Sequence, residues 1–281
     1  MKQLRKKHWK KIRPFTHGIL LVYAAIVAVP IVFAFINSFK TVKDIQQSFF
    51  SLNLGNASLK AYESVVSLIR FGEGLRNNIT ILVMSLLITI ALGSLAAFAM
   101  VIVNNSLMKK IYFLMVLIIC VPIHAFVYQL LPILKRLHLA NTYLGTSLVF
   151  SSLSLPIAIF LYTGFMRTIP REISEAAVID GCSLWRIYLW IYMPIMSTVT
   201  GTVVILRGTY IWNNLLISMV TITDASKTML IPRTYAFNSS TYTRWDLVLA
   251  SSMLVSAPVT ILYILLQKSF IDGITAGAVK G

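Results

Sequence analysis

Charge is scarce in this chain of 281 residues, with 57% of positions hydrophobic and only 12% charged, so chemistry should lie where charge gathers. Arg171, Glu172, Glu175, Asp180 and Arg186 fall in one short stretch between two long apolar segments. Three acids against two bases make it locally acidic in a chain of net charge +16. Such a cluster suits ionic contact with another molecule. It does not suit covalent catalysis, because no nucleophile stands beside a base. The four histidines, His8, His17, His124 and His138, are scattered and form no ligand pair. Cys120 lies in an apolar run and Cys182 in the charged stretch, which argues against a disulfide, and two isolated thiols make no metal site. No glycine loop of the phosphate-cradling type is present, so any ATP must be hydrolysed by another chain. One further charge, Arg207, sits deep in an apolar run.

The elements that would position the cluster are legible around it. Pro170 fits the first turn of a helix, where its missing N–H costs nothing. Glu172 and Glu175 then face the positive end of the helix dipole. Ile173, Ala176, Ala177 and Asp180 recur at i, i+3, i+4 and i+7, one face with two small residues that permit close approach. Gly181 supplies the left-handed turn that ends such a helix. Leu184, Ile187, Tyr188 and Ile191 repeat the same period and run into the next apolar segment. The stretch reads as a helix, a glycine hinge and a second helix that enters a membrane.

Spacing makes this reading more specific. Glu175-Ala176-Ala177, three residues, Gly181, nine residues, then Ile191-Tyr192-Met193-Pro194 resembles the EAA signature of ABC importer permeases, with Met193 at the usual leucine position. That substitution nearly conserves volume. The closing residues, Gly273-Ile274-Thr275-Ala276-Gly277-Ala278-Val279-Lys280-Gly281, are similar to the ending of one carbohydrate-uptake branch. That branch is typified by the smaller permease subunit of the maltose transporter. The resemblance implies that the two helices dock in a cleft on an ATP-binding subunit. Glu175 would be the ionic anchor, Ala176 and Ala177 the close-packing face, Gly181 the bend, and Asp180 a local cap or partner. Gly277 and Lys280 would belong to a tail reaching between two ATPase subunits.

Composition agrees with an integral membrane protein, since the apolar residues come in runs rather than in alternation. Residues 1–13 carry seven bases and no acid, and a charge-free run follows from Pro14 to Phe39. That run is too long for a secretory signal. Six spans are expected, at about 18–39, 78–102, 111–134, 147–166, 187–217 and 247–267, the third interrupted by Pro122 and Pro132. An interfacial helix is expected over about 59–69. On this plan both termini share one side, and basic residues divide 14 to 10 in favour of that side. The bias directs the termini and the signature stretch to the cytoplasm.

Two further groups of residues invite a functional reading. In the fifth expected span Ser197, Gly201 and Gly208 form a small-residue stripe suited to close helix packing. Offset from it run Thr200, Val203, Arg207, Tyr210 and Asn214, with Trp212 and Asn213 beside them. A charge in a span costs ~2.5 kcal/mol or more and faces an interior or an aqueous cavity. Thr200, Arg207, Tyr210, Asn213 and Asn214 are therefore candidates for a substrate pathway, where aromatic faces and amides suit sugar rings and hydroxyls. The alternative is that Arg207 pairs with a polar group on a neighbouring helix while Tyr210 and Trp212 anchor at the interface. A lining role for Arg207 would favour an anionic sugar. The second group lies in the loop from Pro232 to Asp246, where Tyr235, Asn238, Tyr242 and Trp245 match in position an outer loop that probes the binding protein in the maltose system.

The expected fold is therefore an all-α membrane protein of six transmembrane helices, a type I ABC importer permease with a cytoplasmic coupling helix. Its parts are a basic cytoplasmic N-terminus (1–17), a transmembrane domain (18–267) with a coupling loop (167–186), and a cytoplasmic C-terminal tail (268–281). The resemblance implies a homologous permease as heterodimer partner, two ATP-binding subunits and an extracytoplasmic solute-binding protein, in a bacterial or archaeal plasma membrane. No nucleic-acid partner is indicated. The chain would bind no cofactor or metal and catalyse no reaction, ATP and Mg belonging to the partner ATPase. Alternatives are an ABC permease for another solute such as a polyamine or phosphonate, and, from a different class, a secondary transporter driven by an ion gradient. The latter would be expected to bury acidic residues in its spans, and here none lies inside one.

Overall fold

The computed structural model describes residues 2–237 and 243–278, with side chains for 14–237 and 243–267. Among the described residues every regular element longer than a single bridge is helical. Contacts divide the chain into two compact units, Met1–Leu68 with Ala236–Leu254, and Ile69–Tyr235 with Val255–Gly281.

The first unit begins with α1 (Lys2–Asn37), apolar on every side and exposed along its membrane-length portion, Pro14–Asn37. A soluble helix would not present Leu21, Tyr23 and Ile26 to water in this way, so lipid or another chain covers them. Asn37 ends the helix and donates to the carbonyls of Phe33 and Phe49, at 2.7 and 2.8 Å. Two short helices follow, α2 (Val42–Gln47) and α3 (Lys60–Leu68), the second where an interfacial helix is expected.

The second unit is built on α4 (Phe71–Val103) and α7 (Tyr143–Met166), both long enough to cross a membrane. They pack along most of their length because the facing residues are small. A Cβ on Gly93 would stand 3.0 Å from that of Ala158, and Ser151 donates to the Ser85 carbonyl at 3.0 Å. Hydroxyls bonded to backbone satisfy polar groups where no water is available.

The expected third span is not continuous. α5 (Ser106–Ile119) has 14 residues, about 21 Å of rise, which is short of the ~30 Å hydrocarbon core. Pro122 has no N–H to continue the ladder and restricts Val121 before it. The chain turns through a 3₁₀ segment (Ile123–Ala125) and resumes as α6 (Val127–Arg136), which holds Pro132 without breaking. α5 packs on α7, and α6 on a short helix at Leu216–Thr221.

Beyond α7 come α8 (Arg171–Ile179), α9 (Leu184–Ile195), α10 (Ser197–Trp212), α11 (Leu216–Thr221) and α12 (Leu230–Tyr235). α13 (Trp245–Ala278) does not stop where its apolar run ends at Gln267 but continues as one helix. Among the described residues four helices reach membrane length, or five if α9 and α10 count as one bent span, against the six expected. In the five-span count the segment 111–134 accounts for the difference.

Candidate functional site

The charged stretch folds as expected in outline, with one shift and one bend. Pro170 is the N-cap rather than a residue of the first turn, and Arg171 opens α8. The helix ends in the two bonds of a Schellman closure. The Cys182 N–H donates to the Ala177 carbonyl at 2.9 Å and the Gly181 N–H to that of Val178 at 3.0 Å. Gly181 has φ +79°, so the left-handed turn is real. Ser183 then caps α9, its hydroxyl accepting from the Arg186 N–H.

Nothing lies within 4 Å of a Cβ placed on Gly181. A side chain there would meet backbone strain rather than a clash, at about 1–2 kcal/mol. Gly181→Val should therefore insert normally but melt at lower temperature than the wild type. A scanning fluorimetry trace would check this, and an unchanged midpoint would show that the turn tolerates a branched residue.

The faces of α8 differ in what they meet. Ala177 is buried, whereas Glu175, Ala176 and Asp180 are exposed and Ile179 is 86% exposed. Glu175 makes no ion pair with another described residue. α8 thus leaves an open carboxylate, a small residue and bare isoleucine and valine side chains uncovered.

Behind that surface the segment is tied to the protein's core. Ala177, Ile187, Tyr188 and Tyr192 join Ala97, Phe98, Ala158, Tyr162 and Met166 in one buried cluster. The Phe98 ring packs on Tyr188 and Tyr192 at centroid distances of 5.3 and 5.0 Å. The hydroxyls of Ser94 and Tyr188 share a 2.7 Å hydrogen bond. Motion of α8 and α9 must therefore be felt by α4 and α7.

Within α9, Ile187–Tyr192 is π-helical, and the Met193 N–H reaches back to Tyr188. Pro194 explains this. Its ring displaces the carbonyl four residues back and it offers no N–H, so the ladder widens and then breaks. α9 and α10 meet at 71°. The bend falls at Met196, two residues past the proline that closes the signature, and periodicity alone did not show it.

The five candidate pathway residues do not share one surface. Tyr210, Asn213 and Asn214 line a groove of about 550 Å³ with Ile205, Leu206, Thr209 and Tyr263. Thr200 and Arg207 turn toward α7 instead. Thr200 accepts a hydrogen bond from the Tyr162 hydroxyl at 3.0 Å. Arg207 is 7% exposed; its Nε donates to Ser154 Oγ at 3.0 Å, and its guanidinium lies 4.1 Å from the Tyr210 ring centroid. The side chain thus does find a polar group on a neighbouring helix, yet no carboxylate lies within 4.0 Å among the described residues. Trp212 is buried and donates to the Val255 carbonyl at 3.1 Å, so it is a packing residue rather than an interface anchor. Of the small stripe only Gly208 is buried, near Leu82, Leu86 and Leu262.

Tyr235 ends α12 and Trp245 opens α13, and both are exposed. Asn238, Tyr242 and Lys280 lie outside the described residues, while Gly277 lies in the last helix. A polar network missed in the sequence braces the segment before Tyr235. Asn77 donates to the carbonyls of Ser226 and Thr228, and Asn141 Oδ1 accepts from the N–H groups of Thr223 and Asp224. Arg233 bonds Glu73 and the carbonyls of Ile69 and Thr228. The two hydrogen bonds from Ser226 and the nearby Lys227 hold the Asp224 carboxyl below its usual range.

Residues 89–275 match the family described as binding-protein-dependent transport system inner membrane component, and the chain belongs to that family. Two relatives are the melibiose/raffinose/stachyose import permease protein MelC of Bacillus subtilis and the arabinooligosaccharides transport system permease protein AraQ of Halalkalibacterium halodurans. MelC is 30% identical over 75% of this chain and 76% of its own. AraQ is 32% identical over 75% of this chain and 74% of its own. The fold is similar to a chain of a bacterial ABC transporter involved in the import of the acidic polysaccharide alginate. Their TM-score is 0.76, with 20% identity, covering 92% of this chain and 97% of that one.

Proposed function

We propose that this chain is the smaller permease subunit of a carbohydrate ABC importer, a six-span type I permease whose segment 167–186 is the cytoplasmic coupling loop. The observation that carries this is the docking surface of α8, which offers Glu175 and Ala176 outward while Ala177 and the α9 tyrosines hold it to α4 and α7. In this reading the two termini are cytoplasmic, a homologous permease completes the pathway, and two ATPase copies grip the loops. Gly277 and Lys280 reach toward the ATPases, and Tyr235, Asn238, Tyr242 and Trp245 meet an extracytoplasmic binding protein. ATP and Mg act on the ATPase alone. ATPase closure draws the loop, the helices rock, and the pathway alternates its access.

The named sugars of MelC and AraQ support an oligosaccharide as cargo. Tyr210, Asn213 and Asn214 suit it, as an aromatic face with amides at the edge of an open groove. The direct test is to purify the complex with its binding protein and measure ATP hydrolysis against a panel of neutral and acidic oligosaccharides. Stimulation by a saccharide supports the reading. Stimulation by a non-sugar solute alone removes the carbohydrate part of it.

Arg207 offers a separate prediction. Burying a guanidinium in a span without a carboxylate costs ~2.5 kcal/mol or more, so the residue is retained against stability. Arg207→Met should raise the melting temperature of the purified chain and lower uptake. A variant that is less stable would show that the bond to Ser154 and the Tyr210 contact outweigh the burial.

A further inference from the structure

A cavity of about 850 Å³ lies not in the groove of α10 but where α4 and α7 end and α5 begins, with Val178 and Ile179 of α8 and Leu184 of α9 closing its other side. Its inner wall is apolar, formed by the last turn of α4 (Met100, Val101, Ile102) together with Met166 and Ile169. Its rim carries Lys109, Arg167 and Arg171 against the single carboxylate of Glu175. All four are exposed, and none of the three cations has a carboxylate within 4.0 Å among the described residues. Arg167 is held in place by the Tyr112 ring, 4.8 Å from its centroid.

From this we infer that the cavity is a binding site for an anionic phospholipid, with the headgroup phosphate on Lys109, Arg167 and Arg171 and the upper acyl chain against the ends of α4 and α7. Three features converge. The ends of two span-length helices put the cavity at the depth of the lipid headgroups. Charge complementarity favours an anion, and guanidinium groups suit phosphate oxygens. The apolar wall fits the hydrocarbon that a soluble anion lacks, and the volume lies within the range of ligand sites. Glu175 lines the same cavity, so an occupied site would set the charge beside the docking carboxylate.

The test is native mass spectrometry of the purified complex in mild detergent, titrated with phosphatidylglycerol, phosphatidylcholine or inorganic phosphate. Wild type should retain phosphatidylglycerol in preference to phosphatidylcholine, and inorganic phosphate should not displace it at equal concentration. K109Q/R167Q should bind phosphatidylglycerol tenfold or more weakly, roughly the effect of two removed surface charges. The charge-preserving K109R/R167K should bind as wild type does, which separates lost charge from a lost fold. Equal retention by K109Q/R167Q overturns the proposal. So does displacement by inorganic phosphate, which assigns the site to a free anion, or weakened ATPase assembly with unchanged lipid retention, which assigns the cations to the partner protein. Lipid retention is read without transport, so the result stands apart from the identity of the cargo.

Discussion

Replacing Glu175 by lysine should abolish uptake while leaving the protein inserted and folded. The carboxylate is exposed on α8 and bonds no described residue, so its removal takes nothing from the folded chain. The new lysine would stand one turn from Arg171, a like-charge pair at i,i+4 that costs only a few tenths of a kcal/mol. Against a basic residue on a motor subunit the same change turns attraction into repulsion in a closed interface. The expected loss of transport is roughly a hundredfold or more, with ATPase binding weakened in step. Uptake in cells and the level of the chain in membranes should be measured together. Normal uptake at normal abundance would remove Glu175 from the coupling role, and low abundance would show that its part is structural.

Phe98→Ala should damage the link between that surface and the membrane helices. Phe98 is 6% exposed and packs its ring on both Tyr188 and Tyr192. Truncation leaves a cavity between α4 and α9, worth about 3–5 kcal/mol for a buried phenylalanine. The melting temperature should fall, and ATP hydrolysis should lose its stimulation by substrate, because the docking segment can then move without α4. Phe98→Leu, closer in volume, should recover much of the stability and of the stimulation. If Phe98→Ala keeps full stimulation in spite of a lower melting temperature, the push travels by another route, and the Ser94–Tyr188 hydrogen bond is the next to test.

Much of this could be read from residue spacing, and the failures have physical causes. Gly181 and its left-handed turn followed from its place at the end of an amphipathic period. α8 was likewise bounded within a residue, since a proline before and a glycine after leave little freedom. The break at Cys120–Phe126 was half visible. Pro122 marks an interruption, but nothing in an apolar run says whether a proline kinks a helix or ends it. The 71° bend at Met196 has no signature in the apolar period: the π-turn at Ile187–Tyr192 shifts that period upstream, and the break itself falls two residues beyond Pro194.

At the site itself, helical period placed Thr200, Arg207 and Tyr210 on one stripe. It could not say that Thr200 and Arg207 meet α7 while Tyr210 also borders the open groove. That depends on which helices stand on either side. The α4–α7 contact had a readable signal in Ser85, Thr89, Gly93 and Ala97, small residues four apart. The Asn77, Asn141 and Arg233 network had none, because its partners are backbone carbonyls and N–H groups distant in sequence.

The most direct measurement is a cross-link. With Cys120 and Cys182, the free cysteines of the described chain, changed to serine, a single cysteine at Ala176 should be tested in the assembled importer. Against cysteines placed along the cleft of the ATPase, it should form a short-reagent cross-link whose yield changes between the nucleotide-free and ATP-bound states. It should also resist a membrane-impermeant thiol reagent added to intact cells. Labelling from outside, or no cross-link at any cleft position in a complex that hydrolyses ATP, would contradict the placing of α8 in the grip of the motor.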